Sequence, residues 1–360
     1  MRHYEERLEN DLATIRGNIA KMATRVEQGI SDAVRAFRTG DHNLAADTIL
    51  ADHQVNREMR EIDRLCHSFL AVHLPSGRHL RILSSAIRAN IALERIGDYA
   101  VTIARASEQL SGPPDGNMGR ELERIAREAS IMLAQAVEAF NELDAGKARA
   151  TMVLEKEMEY DMDAIYAELT QIQEREKIKD LLAIFIVFTH LKRVADQAKN
   201  LCEETVFAET GQEKARKVYN ILFVDEDNSC LAKLAELVAR KTFPASGHYS
   251  SRGKSPAAGF NPGLVEFLQS HGFDLDGDRP RKLEPSHPEL VGKHVIVSLQ
   301  GPVRDYIPQL PFHTTAVEWQ VRPVPSTGPT QEADKWETLY RDIASRVRSL
   351  MEVLCGPDPH

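Results

Sequence analysis

From about Tyr4 to Phe207 the chain carries proline only at Pro75, Pro113 and Pro114, while apolar residues recur at intervals of three and four between charged ones. Proline inside a helix removes a hydrogen bond and clashes with the turn before it. Its near absence over this length, joined to that periodicity, dictates consecutive amphipathic helices. Turn-forming composition interrupts the run at residues 39–43 (TGDHN), 74–79 (LPSGRH), 111–117 (SGPPDGN) and 144–148 (DAGKA). Six long helices are expected.

After about Arg216 the pattern changes. A β-rich run, VYNILFV at 218–224, is followed by many glycines and prolines and by a second apolar run, VIVSL at 295–299. Helical stretches at 230–241, 261–270 and 332–354 alternate with these runs, which predicts an α/β domain with a parallel sheet and crossover helices. At 360 residues the chain exceeds one ordinary core, and about 150 residues per domain implies more than one domain.

The helical part repeats itself. LERIGDYA at 93–100 corresponds to LKRVADQA at 191–198, with a constant offset of 98 residues and four identical positions in eight. Each copy follows a charged helical stretch, at 53–63 and at 155–163. The unit is therefore a three-helix hairpin used twice. The expected architecture is multi-domain, α plus α/β: repeat one over 1–110, repeat two over 111–215, and a small parallel-sheet α/β domain over 216–360.

Composition narrows the function classes. Hydrophobic residues at 42% and charged residues at 28% are ordinary for a globular protein. The longest apolar run, 181–188, is far short of the ~20 residues a bilayer demands. The first residues mix acids and bases without an apolar stretch, so no secretory signal is read and a cytoplasmic location is expected. Cys66, Cys202, Cys230 and Cys355 are too far apart for a metal knuckle or a disulfide framework. A formal net charge of -9 argues against a dedicated nucleic-acid binder, and contact with a membrane is expected only through partners.

The candidate chemistry in the helical part is a carboxylate pair. Glu94 and Asp98 stand four residues apart, about 6 Å between Cβ atoms on one helix face. They continue the stripe Leu83, Ile87, Asn90, which points them toward packing. Partly buried carboxylates need compensation, either by Arg or Lys from a neighbouring helix, the commoner arrangement, or by a metal ion. Oxygen ligands alone discriminate poorly among iron, manganese and zinc. A di-iron oxidase site would want ExxH pairs, and the helices carrying Glu94 and Asp196 have none.

The LERIGD motif within two three-helix units resembles the PhoU family over about Tyr4 to Phe207. The segment PSGRHLR at 75–81 resembles that family's PxxxDLR opening of the same helix, with His79 where the family usually has Asp. The resemblance implies two ExxxD motifs on the inner helices, able to hold multinuclear iron or zinc clusters. Here only Glu94 and Asp98 form an intact motif. In the second, Lys192 replaces the glutamate and can neutralise Asp196, the remaining member of the implied ligand set. Asp63 and Asp163 are further candidates that a solvated face explains equally well. The resemblance also implies a regulator of phosphate uptake and phosphate-starvation signalling. Its implied partners are the ATPase of a phosphate ABC transporter, a phosphate-sensing histidine kinase, and a second copy of the chain as a homodimer.

The segment LFVDEDNSCLA at 222–232 follows a strand and opens a helix, where a phosphate-cradling loop would sit. It resembles the low-molecular-weight tyrosine phosphatases and the related arsenate reductases. Their CxxxxxR loop aligns with Asp225 to Leu231, and Asn228, Ser229 and Cys230 match its interior. GFDLDGDRPRKL at 272–283 is similar to the family's GIDLSGHRSK segment, and no aspartate stands between Trp319 and Pro325 to act as general acid. The chemistry needs a thiolate, a phosphoryl-binding arginine and an acid. Asp225, Leu231 and the stretch after Trp319 fill none of these roles, so a fold without its activity is expected. The alternative is a phosphatase or arsenate reductase using Cys230.

Overall fold

The computed structural model describes residues 2–114, 116–155, 165–166, 169, 177–275, 277–285 and 287–356. The chain divides into two compact units, 1–214 and 215–360.

In the first unit the helices are α1 (Arg2–Thr39), α2 (His42–His73), α3 (Gly77–Ser107), α4 (Gly116–Glu142), α5 (Ala145–Met152) and α6 (Ile178–Thr210). The breaks read from composition are where they end. Asp41 caps α2 by accepting the Leu44 N–H at 3.0 Å, and Asp144 caps α5 by accepting the Lys147 N–H at 2.9 Å. Leu74 turns left-handed at φ 44° just before Pro75, closing α2. Gly211 closes α6 in the left-handed region, its N–H reaching the Phe207 carbonyl. Along α1, Leu8, Leu12, Ile15, Ile19, Met22, Val26 and Ile30 are all buried, a stripe with steps of three and four. Buried alanines, among them Ala86, Ala89 and Ala100 on α3 and Ala183, Ala195 and Ala198 on α6, keep the inner helices slim in the core.

Helix α5 is short, ending at Met152 after eight residues, and the long helix expected over the charged stretch of the second repeat lies largely outside the described residues. Of the charged stretch 155–163 only Glu155 belongs to the described residues.

The second unit is built on a parallel sheet of β1 (Tyr219–Asp225), β2 (Gly247–Gly253), β3 (Val295–Ser298) and β4 (Thr315–Glu318), in the order β2-β1-β3-β4. Helices α7 (Leu231–Thr242), α8 (Pro262–Ser270), α9 (His287–Leu290) and α10 (Pro329–Cys355) complete it. β1 is central and buried on both faces. Ile221 and Phe223 join a core with Leu234, Phe267, Trp336 and Ile343, while Leu222 and Val224 meet Ile296, Tyr306 and Ile307. Such two-sided burial is what an apolar run without alternation signals. Among the described residues no helix is long and apolar enough to cross a membrane.

Candidate functional site

On α3, Glu94 is half-buried and Asp98 exposed, one turn apart. Burial pushes the Glu94 carboxyl up from its ordinary value, and the negative charges of Asp98 and Asp52 push it further, against the pull of Arg95. Asp52, on α2, was not legible as part of this group. Its own carboxyl is raised, by burial and then by Asp98. One of its oxygens accepts from the Asn56 amide at 2.6 Å, while the other, Oδ1, is buried without a partner. The glycine of LERIGD explains the approach. A Cβ on Gly97 would lie 3.2 Å from Asp52 Oδ1 and 3.2 Å from Val55, closer than most side chains tolerate.

These acids match a hard cation in donor type. Among the described residues no group of three or more His, Cys, Asp or Glu side chains is arranged to hold a metal ion, which leaves Glu94 and Asp98 as a two-ligand pair. Asp63 lies on α2, 3.4 Å from His67, and Asp163 lies outside the described residues. His79 faces Glu9 at 3.0 Å.

The second copy of the motif is neutralised from within. Lys192, at the position of Glu94, meets Asp196 at 2.5 Å and Glu155 at 3.3 Å. Lys199, which the 98-residue offset places at Val101, meets the other Glu155 oxygen at 2.7 Å. Burial raises the Asp196 carboxyl while Lys192 pulls it down, with a net rise. For Glu155 burial is outweighed by Lys199 and Lys192, and its carboxyl is lowered. Two ammonium groups thus stand where the first copy has none.

In the second unit, the loop between β1 and α7 closes on its own carboxylates. Asp225, 2% exposed, accepts the Asn228 N–H at 2.6 Å and the Ala232 N–H at 2.8 Å, and Asp227 accepts the Ser229 N–H at 2.8 Å. Asn228 holds the left-handed turn at φ 53°, which its short polar side chain tolerates. Backbone groups at the N-terminus of a helix ordinarily offer themselves to an anion. Here an internal carboxylate takes them. Burial lifts Asp225 to about 6, although the two N–H donors pull it down. Cys230 is buried, and burial, Asp225 and Asp227 together push its thiol up, so it stays protonated at neutral pH. Leu231, at the aligned arginine position, is buried in the core, as is Trp319.

The description "PhoU domain" matches the chain twice, over residues 19–107 and 119–205. The phosphate-specific transport system accessory protein PhoU homolog of Pseudomonas aeruginosa is 28% identical over 212 residues, 58% of this chain and 88% of that protein. The crystal structure of the phosphate transport system regulatory protein PhoU from Streptococcus pneumoniae is 26% identical, covers 58% of this chain and 99% of that one, and superposes with a TM-score of 0.54. A low-molecular-weight protein tyrosine phosphatase from Streptococcus pyogenes aligns with 38% of this chain and 93% of its own at 15% identity, with a TM-score of 0.30, too low to carry weight. Two consecutive matches, one over each half of the helical unit, make that unit a tandem pair of PhoU domains.

Proposed function

We propose that the chain is a cytoplasmic regulator of phosphate uptake and phosphate-starvation signalling. It acts by protein contacts with the ATPase of a phosphate ABC transporter and with a phosphate-sensing histidine kinase, as a homodimer through its helical faces. The observation that carries this reading is the paired family match over the helical unit, whose relatives are named as accessory proteins of phosphate transport. Co-purification of the tagged full chain with the transporter ATPase tests it, and failure to recover the ATPase would count against the partner assignment.

The second unit contributes as a scaffold rather than a catalyst. A carboxylate at position 225 accepts the loop N–H groups that a phosphoryl group would need, and the Cys230 thiol is held protonated. The rival reading, a phosphatase or arsenate reductase using Cys230, requires turnover of an aryl phosphate or arsenate that disappears in Cys230→Ser. Iron or zinc at Glu94 and Asp98 is a separate proposal, with Asp196 withdrawn from that role by Lys192. No step of the regulatory reading runs through a metal.

A further inference from the structure

The second unit contains a cavity of about 530 Å³ walled by α7, β2 and residues 274–275 and 277–281. Its wall carries Lys233, Arg240, Arg252, Arg279 and Arg281 against Glu236, Asp274 and Asp278. The deepest charges are committed to one another. Lys233, 2% exposed, meets Glu236 at 3.2 Å and Asp278 at 2.5 Å. Glu236 also accepts from Arg240 and from the Ser251 hydroxyl. Burial would raise the Asp278 carboxyl, but Lys233 and Arg281 outweigh it and hold it at about 2, so it stays ionised.

What is left over is donors. Among the described residues the Arg279 guanidinium has no carboxylate partner, and Arg281 uses one N–H on Asp278 out of the five such a group offers. A second, independent feature points the same way. Asn228 lines the cavity at 1% exposure, and its Oδ1 accepts the Arg281 N–H at 2.9 Å, which fixes the orientation of the amide. The Nδ2 at the other end is then a buried donor with no partner among the described residues. A buried donor left unpaired is costly, and a ligand oxygen would satisfy it.

The volume lies within the range of small-molecule sites, about 300–1,000 Å³, and far exceeds what one inorganic phosphate fills. Arg240 and Arg252 are already paired with Glu236 and Glu289, so the free donors are Arg279, Arg281 and the Asn228 amide, and the volume sets the size of the ligand they would hold. Forked guanidinium donors suit phosphoryl oxygens, and Leu237 and Leu275 give the wall an apolar part. We propose that this cavity binds a small molecule bearing two or more phosphoryl groups, of about nucleoside-diphosphate size. The site adjoins the Asp225 loop through Asn228 and does not rest on the regulatory reading above.

The test is calorimetric titration of the full chain with ADP, tripolyphosphate, orthophosphate and adenosine. ADP or tripolyphosphate should bind at least about tenfold tighter than orthophosphate, and adenosine alone should not bind. Tighter ADP assigns a nucleotide, and tighter tripolyphosphate assigns an inorganic chain. Arg279→Ala, at an exposed and unpaired side chain, should weaken binding about tenfold without affecting folding. Asn228→Asp, which keeps the size and the acceptor but replaces the donor, should weaken it as well. Binding of neither polyanion, orthophosphate binding as tightly as both, or unchanged affinity in Arg279→Ala would overturn the proposal.

Discussion

Asp225 gives the loop after β1 a measurable pH signature. Its carboxyl lies at about 6 in the folded chain against about 3.9 when exposed to water. Between these values the folded state holds a proton that the unfolded state has released. Stability therefore falls as pH rises through that window and is level below 4 and above 7. Two pH units at about 1.4 kcal/mol each give a loss of about 3 kcal/mol. Asp225→Asn keeps the shape and cannot ionise, so wild type should lose about 3 kcal/mol relative to this variant between pH 4 and pH 7. Urea unfolding followed by tryptophan fluorescence reads this cleanly, because both tryptophans, Trp319 and Trp336, are buried in the second unit. A difference that stays constant with pH, or one in which wild type gains, would refute the reasoning. It would mean that the two N–H donors outweigh burial.

Three further outcomes follow from neighbouring geometry. Gly253→Ala should cost about 2 kcal/mol in the same assay, because its Cβ would fall 2.5 Å from the Asn228 nitrogen and 2.6 Å from the Asp227 carbonyl carbon, backbone that cannot step aside. Lys192→Met leaves Asp196 without its near cation and Glu155 with Lys199 alone; urea titration by far-ultraviolet circular dichroism should show a loss of about 1–2 kcal/mol in the helical unit. Asp98→Asn removes the repulsion that raises Glu94 and Asp52 and should stabilise the metal-free chain by up to about 0.5 kcal/mol. Elemental analysis beside the Glu94→Gln, Asp98→Asn double variant separates that effect from metal binding: equal metal in both removes the proposed iron or zinc site.

Much of the helical unit was written in its punctuation, because Asp41, Pro75 and Asp144 act locally on the backbone. The brevity of α5 was not, since VLEKEMEY continues a helical pattern past Met152 without a breaker. β2 escaped for a different reason. Gly247–Gly253 buries Tyr249 and Ser251 but carries small and polar residues, so the strand has no apolar signature. β4 ends the sheet, with Thr315, Ala316 and Glu318 exposed and little burial to betray it. At the carboxylate pair, the helical spacing of Glu94 and Asp98 was readable, but Asp52 arrives from another helix and no local pattern links it. Lys233 and Glu236, three residues apart on an amphipathic helix, resemble a solvated pair and are in fact 2% and 4% exposed. Tertiary packing decided that, and only the neighbours Ser251 and Asp278 make it intelligible.

The measurement closest to the central claim is phosphate uptake and phosphate-starvation reporter expression in a strain lacking the gene, complemented with wild type or with Cys230→Ser. The account predicts that deletion changes both readouts and that Cys230→Ser restores them as fully as wild type. An unchanged response on deletion, or restoration that depends on Cys230, would contradict a non-catalytic regulator of phosphate transport.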